Sequence, residues 1–109
     1  LISETAFAHM KPGMIIANTS RGGVIDEKAL LNALNSGQVH AVGLDVFEQE
    51  PPSSKLELCN RDDTLLSPHI AGLTDKASER MALACIDNAI DYRKGTINPD
   101  LIVNKEALL

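Results

Sequence analysis

Two largely apolar runs, Met14-Ile15-Ile16-Ala17 and Ala41-Val42-Gly43-Leu44-Asp45-Val46, flank one helical segment, and this arrangement leaves few folds open. A half-wet strand alternates apolar and polar residues, whereas a continuous apolar run reads as a strand covered on both faces of a parallel sheet. Between the runs, Thr19 to Ile25 is a loop and Asp26 suits a helix cap. Ala29, Leu30, Ala33 and Leu34 then recur at helical spacing, and Gly37 suits the position just past the helix end. Strand, helix and strand in this order make one βαβ crossover, expected to be right-handed, and with it a parallel sheet.

The flanks extend the pattern. Ser3 to Met10 predicts a short helix capped by Ser3 and stopped at Lys11-Pro12-Gly13. Glu48 to Asp63 is polar, contains Pro51-Pro52-Ser53-Ser54, and predicts a long surface loop without regular structure. Thr64 to Ser67 predicts a third strand stopped by Pro68. Asp75 to Lys94 predicts a long amphipathic helix ended by Gly95, with Ala77, Met81, Cys85 and Ala89 on its apolar side. Glu79, Arg80, Asp87 and Arg93 on that helix read as a solvated face, and Thr96 to Leu109 shows no period.

Composition removes several classes of function. With 10 Lys+Arg against 15 Asp+Glu the net charge is −5, which does not suit wrapping a phosphate backbone, so nucleic acid is excluded as a partner. No run approaches the roughly 18 apolar residues of a membrane span, and no basic, then apolar, leader opens the chain, so a non-membrane, cytoplasmic chain is expected. Cys59 and Cys85 belong to no CxxC and have no histidine at ligand spacing. They read as reduced thiols, and no metal site is expected.

Parallel α/β sheets place ligands outside the carboxyl ends of their strands. Here the first strand runs into Asn18-Thr19-Ser20-Arg21-Gly22-Gly23, the second into Phe47 and then Glu50-Pro51, and the third into Pro68-His69-Ile70-Ala71-Gly72. A fixed cation, a carboxylate and an imidazole are thus expected on one rim. The ordered motifs NTSRGGVID, GLDVFEQEPP and LLSPHIAG closely resemble the D-isomer-specific 2-hydroxyacid dehydrogenases, with the phosphoglycerate dehydrogenase branch nearest. The resemblance covers nearly the whole chain, and three motifs in order are far more specific than any one of them.

The resemblance implies the fold class and the site. The fold expected is α/β, the C-terminal half of a Rossmann-type parallel sheet. Residues 1–95 would form that half of the NAD-binding domain with its long return helix, and 96–109 a tail leading back toward a substrate domain. Arg21 would bind the substrate carboxylate and carbonyl, Glu50 would pair with the histidine, and His69 would be the proton donor. Thr19, Ser20, Arg21, Asp45, His69, Ala71 and Gly72 would line the nicotinamide side, Asp45 toward the carboxamide. The implied cofactor is NAD, with NADP left open, and the implied partner a small 2-hydroxy or 2-keto acid. The full-length protein would be a homodimer.

Elementary chemistry fits these assignments. A planar guanidinium holds a carboxylate and an adjacent carbonyl better than a lysine point charge does. A protonated imidazole neutralises the charge that builds on oxygen as hydride reaches the carbonyl carbon, and acts as base in reverse. A carboxylate on the other ring nitrogen fixes the tautomer. Taken singly these residues are unremarkable: a lone arginine is usually a surface ion-pair partner, and Glu48 or Glu57 stands in the same acidic loop as Glu50. His9, His40 and the cysteines have no companion motif and read as structural or surface residues. No two of the seven glycines frame a GxGxxG, so the pyrophosphate loop belongs elsewhere. The start at Leu1 fits a piece of a longer protein. Two alternatives stand beside the enzyme: a dehydrogenase-like nucleotide-sensing corepressor, and an inactive fragment.

Overall fold

The computed structural model describes residues 1–108, which form two compact units, 1–72 and the residues from 73 onward. The first holds α1 (Glu4–Ala8), β1 (Met14–Asn18), α2 (Glu27–Asn35), β2 (Val39–Leu44) and β3 (Thr64–Leu66). The three strands are parallel in the order β1-β2-β3, so their carboxyl ends share one rim.

The helix between β1 and β2 forms where its residues demand it. Asp26 Oδ1 accepts from the Ala29 amide at 2.8 Å, satisfying a donor that the first turn leaves free. Ala29, Leu30, Ala33 and Leu34 then fall on one buried face. They join Phe7 of α1 with Val39, Val42 and Leu44 of β2 to make the core. Gly37 has φ +75°, and its amide donates to the Leu34 carbonyl at 3.1 Å, closing the helix where a side chain would strain the turn.

Four local expectations are corrected. Ser3 precedes α1, but its side chain caps nothing; the Phe7 amide bonds the Ser3 carbonyl instead. The second strand spans Val39–Leu44 rather than 41–46: Val39 pairs with Met14 across a register shift, and the chain leaves the ladder at Asp45, whose side chain turns to other work. The third strand stops at Leu66, before Ser67. Within the loop expected to be irregular, Glu57–Asn60 forms a 3₁₀ turn that buries Leu58 in the core.

β1 was expected to be covered on both faces, yet Ile15 is 68% exposed and Leu65 of β3, on the same face, 78%, whereas Ile16, Val42 and Leu44 on the other face pack into the core: within the first unit only one face of the sheet is covered. At the amino end of β3, Arg61 grips Asp63 with two bonds of 2.7 Å, holding the Asp63 carboxyl below its ordinary range.

The second unit is mainly α3 (Asp75–Lys94). Thr74 Oγ1 accepts from the Ala77 amide at 3.1 Å to start it, and Gly95, at φ +72°, ends it. Arg93 and Lys94 in the last turn suit the negative end of the helix dipole. None of its residues is buried, and Met81 of the expected apolar side is half-exposed. The tail that showed no period contains 3₁₀ turns at Pro99–Leu101 and Lys105–Leu108.

Candidate active site

The candidate site lies within residues 1–72. At the end of β1 the buried Asn18 folds the next residues around itself. Its Nδ2 donates to the Arg21 carbonyl at 2.9 Å, while its Oδ1 accepts from the Ser20 amide at 3.1 Å and the Ser20 hydroxyl at 2.9 Å. A side chain that bonds the backbone two residues on is the Asx turn that Asn favours. It leaves Thr19, Ser20 and Arg21 exposed at the rim, with the Arg21 guanidinium donating to the Ser20 carbonyl at 2.6 Å.

Gly22 brings this loop against the next. A Cβ built there would lie 1.9 Å from the Phe47 carbonyl carbon and oxygen, so only glycine lets the two backbones approach. Glu27 and Glu48 tie the same two segments reciprocally: each carboxylate accepts from the other's amide, at 2.8 and 3.1 Å. Glu48, which sequence alone left as a solvent-facing alternative, thus fastens the start of α2 to the loop after β2.

That loop presents Glu50. Its Oε1 accepts from the Phe47 amide at 3.0 Å and its Oε2 meets His69 Nδ1 at 2.8 Å. A carboxylate can only accept, so Nδ1 carries the proton and Nε2 is the ring atom left for another partner. The His69 bond first, then the Phe47 amide, and then the charges of His69 and Arg21, hold the Glu50 carboxyl below its ordinary 4.5. The structure thereby brings together Glu50 and His69 in direct contact, with the Arg21 charge close enough to act on Glu50.

Asp45, 3% exposed, ends β2. Its Oδ1 accepts from the Ser67 hydroxyl at 2.6 Å and the Ile70 amide at 2.9 Å, and its Oδ2 from the Ala71 amide at 2.9 Å. The Ser67 bond above all, and the two amides, keep this carboxyl below its ordinary 3.8 despite burial. Ala71 and Gly72 are exposed beside it, and nothing lies within 4 Å of a Cβ built on Gly72.

Beside the Glu50–His69 pair lies a cleft of about 410 Å³, walled by Phe47, Pro51, Pro52, Leu66 and Pro68 and edged by Asp45, Glu50, Ser67 and His69, whereas Thr19, Ser20, Arg21, Ala71 and Gly72 do not line it. Mostly apolar walls with a few convergent polar groups suit a flat heteroaromatic ring and a small acid. Asp45 uses three of its roughly four acceptor positions within the chain, which leaves one for an amide donor. The residues present therefore fit the nicotinamide end of a dinucleotide.

The sequence profile of the D-isomer specific 2-hydroxyacid dehydrogenase NAD binding domain matches residues 1–71. The chain belongs to this family. It is 44% identical to a glyoxylate reductase from Thermococcus litoralis over 99% of its own length and 32% of the relative's. Among solved structures it superposes on D-mandelate dehydrogenase from Rhodotorula graminis with a TM-score of 0.76 and 44% identity, over 84% of this chain and 26% of that one. It also superposes on a D-isomer specific 2-hydroxyacid dehydrogenase from Xanthobacter autotrophicus in complex with NADPH, with a TM-score of 0.76 and 34% identity, over 87% of this chain and 38% of that one. The chain spans about a third of the length of the curated relatives it matches.

Sequence reasoning named Arg21, Glu50 and His69 but passed over Asn18 and Gly22 as organisers. The signals were present: an Asn at a strand end before Thr-Ser, and a glycine directly after the arginine.

Proposed function

We propose that the protein carrying this chain is an NAD-dependent oxidoreductase interconverting a small D-2-hydroxy acid and its 2-keto acid. The observation that carries this is the 2.8 Å pair of Glu50 and His69 at the strand ends, with Arg21 following β1 on the same rim. Arg21 holds the substrate carboxylate and polarises the adjacent carbonyl. Glu50 keeps the His69 ring oriented with Nε2 toward the substrate oxygen, and His69 delivers the proton there, or removes it in the oxidation. Thr19, Ser20, Arg21, Asp45, His69, Ala71 and Gly72 form the nicotinamide side of the site. The cofactor supplies the hydride when bound, since no side chain can.

Residues 1–95 serve as the C-terminal half of the nucleotide-binding domain, and 96–109 lead toward the substrate domain. Glyoxylate is the finer substrate that the Thermococcus relative supports, and D-3-phosphoglycerate the one suggested by the motifs. The whole protein is a cytoplasmic homodimer on the same resemblance.

The test is His69→Ala in the full-length protein, assayed on glyoxylate, pyruvate, hydroxypyruvate and, in the oxidative direction, 3-phosphoglycerate. Turnover should fall by roughly 10² to 10⁴ with NADH affinity nearly unchanged. Undiminished turnover would remove His69 as the acid.

A further inference from the structure

His69 is, among the described residues, the non-glycine residue held at positive φ, +54°. A side chain bearing a Cβ resists that left-handed conformation, so the surrounding chain must impose it. The bonds that do so come from Asp45. Its carboxylate takes the Ser67 hydroxyl on one side of His69 and the Ile70 and Ala71 amides on the other. The anchor is itself fixed to the sheet: the Asp45 amide donates to the Asn18 carbonyl at 3.0 Å, and the Ser67 amide to the Leu44 carbonyl at 2.9 Å. The bracket is therefore built from the central strand outward, and its effect is to aim Nδ1 of His69 at Glu50.

We infer that Asp45, seconded by Ser67, is a positioning residue for His69, its buried carboxylate holding the histidine backbone in the left-handed form that delivers the ring to Glu50. This rests on the proposed role of His69, and it differs from a contact between Asp45 and the cofactor. A cofactor ligand acts on NADH affinity, whereas a backbone bracket acts on the imidazole whether or not cofactor is bound. Asp45 touches no reacting atom here. Its three bonds all end on the loop that carries the reacting group.

Ser67 separates the two roles: it lines the cleft, but its hydroxyl is given to Asp45 at 2.6 Å, so removing that hydroxyl acts first on Asp45. In the full-length protein, Ser67→Ala should lower kcat about tenfold, the scale of one hydrogen bond to a charged group, with NADH Kd and the KM for glyoxylate within about twofold. Ser67→Thr, which keeps the hydroxyl, should restore turnover. Imidazole ¹⁵N spectra of the cofactor-free protein, recorded at a pH where the ring is neutral, give the second readout. The parent should show the Nδ1–H tautomer at His69, and Ser67→Ala and Asp45→Asn should move it toward a mixture with Nε2–H. A ring signature unchanged in both variants overturns the inference while leaving the proposed reaction standing. A shifted signature in a protein whose His69→Ala variant still turns over overturns the reaction instead, and with it the catalytic meaning of the bracket. Should Asp45→Asn fail to fold, the Ser67 pair alone decides, since it leaves both loop amides bonded.

Discussion

Asn18 and Asp45 are the two polar residues buried in the first unit, and each ends a strand. They solve the same problem differently. Asn18 spends its amide on its own loop, reaching only Ser20 and Arg21. Asp45 ignores its own loop and reaches across to the residues after the next strand, Ser67, Ile70 and Ala71. The first arrangement shapes a loop that needs no unusual backbone at Arg21, whose φ is −148°. The second enforces a conformation that His69 would not adopt unaided. A guanidinium at the rim can be placed by a local turn, whereas an imidazole held against a particular carboxylate is placed here by a long-range anchor.

Gly22 offers the most severe way to break that division, since it joins the Asn18 loop to the segment that presents Glu50. In Gly22→Ala the new methyl meets Phe47 backbone at 1.9 Å, where no flexible side chain can yield. We expect a loss of about 3 kcal/mol or more in denaturant unfolding, together with loss of turnover. A stability within error of the parent would show that the two loops do not need their close contact.

Asn18→Ala sharpens the contrast at a smaller scale. It strands bonds to Ser20 and Arg21, which should cost about 1–3 kcal/mol. If Arg21 holds substrate in ground and transition states alike, as proposed, KM for the keto acid should rise more than kcat falls. The Ser67 and Asp45 variants should do the reverse. If Asn18→Ala lowered kcat while sparing KM, the local turn would be serving His69 as well.

The smallest expected effect is in acid. Glu50 has a folded pKa below its unfolded value, so its contribution to stability is complete above about 4.5 and is lost as pH falls through the depressed folded value. Glu50→Gln lacks this term. The stability gap between parent and variant should therefore narrow below pH 4.5, and only modestly, because both Glu50 and His69 keep more than a third of their side chains in water. A gap that widened toward low pH would mean that the pair is not charge-assisted in the native state.

The same contrast explains what could be read in advance. The strand-helix-strand order, Asp26 as cap, α3 to the residue and the three rim positions were legible because each depends on residues close in sequence. Asn18 belongs to that class too, and its Asn-Thr-Ser signature was available. Asp45 does not: its partners lie more than twenty positions later, and no periodicity encodes them. The displaced end of β2 has the same origin. Apolar composition suggested continuation to Val46, but the ladder stops where Asp45 is committed to the neighbouring loop. Likewise the burial of Leu58 depends on the loop folding back against β3 so that Leu58 joins the core shared with α2 and β2, which a polar, proline-containing stretch does not announce.

The left-handed backbone at His69 sets thermal stability and proton chemistry against each other at one position. Gly would occupy φ +54° more comfortably, by an amount on the order of 1–2 kcal/mol, yet it carries no ring that can exchange a proton near neutral pH. A library screened for melting temperature alone would enrich replacements at position 69 and discard the residue proposed as the proton donor. Efforts to harden this scaffold should therefore hold His69 fixed and seek their gains elsewhere.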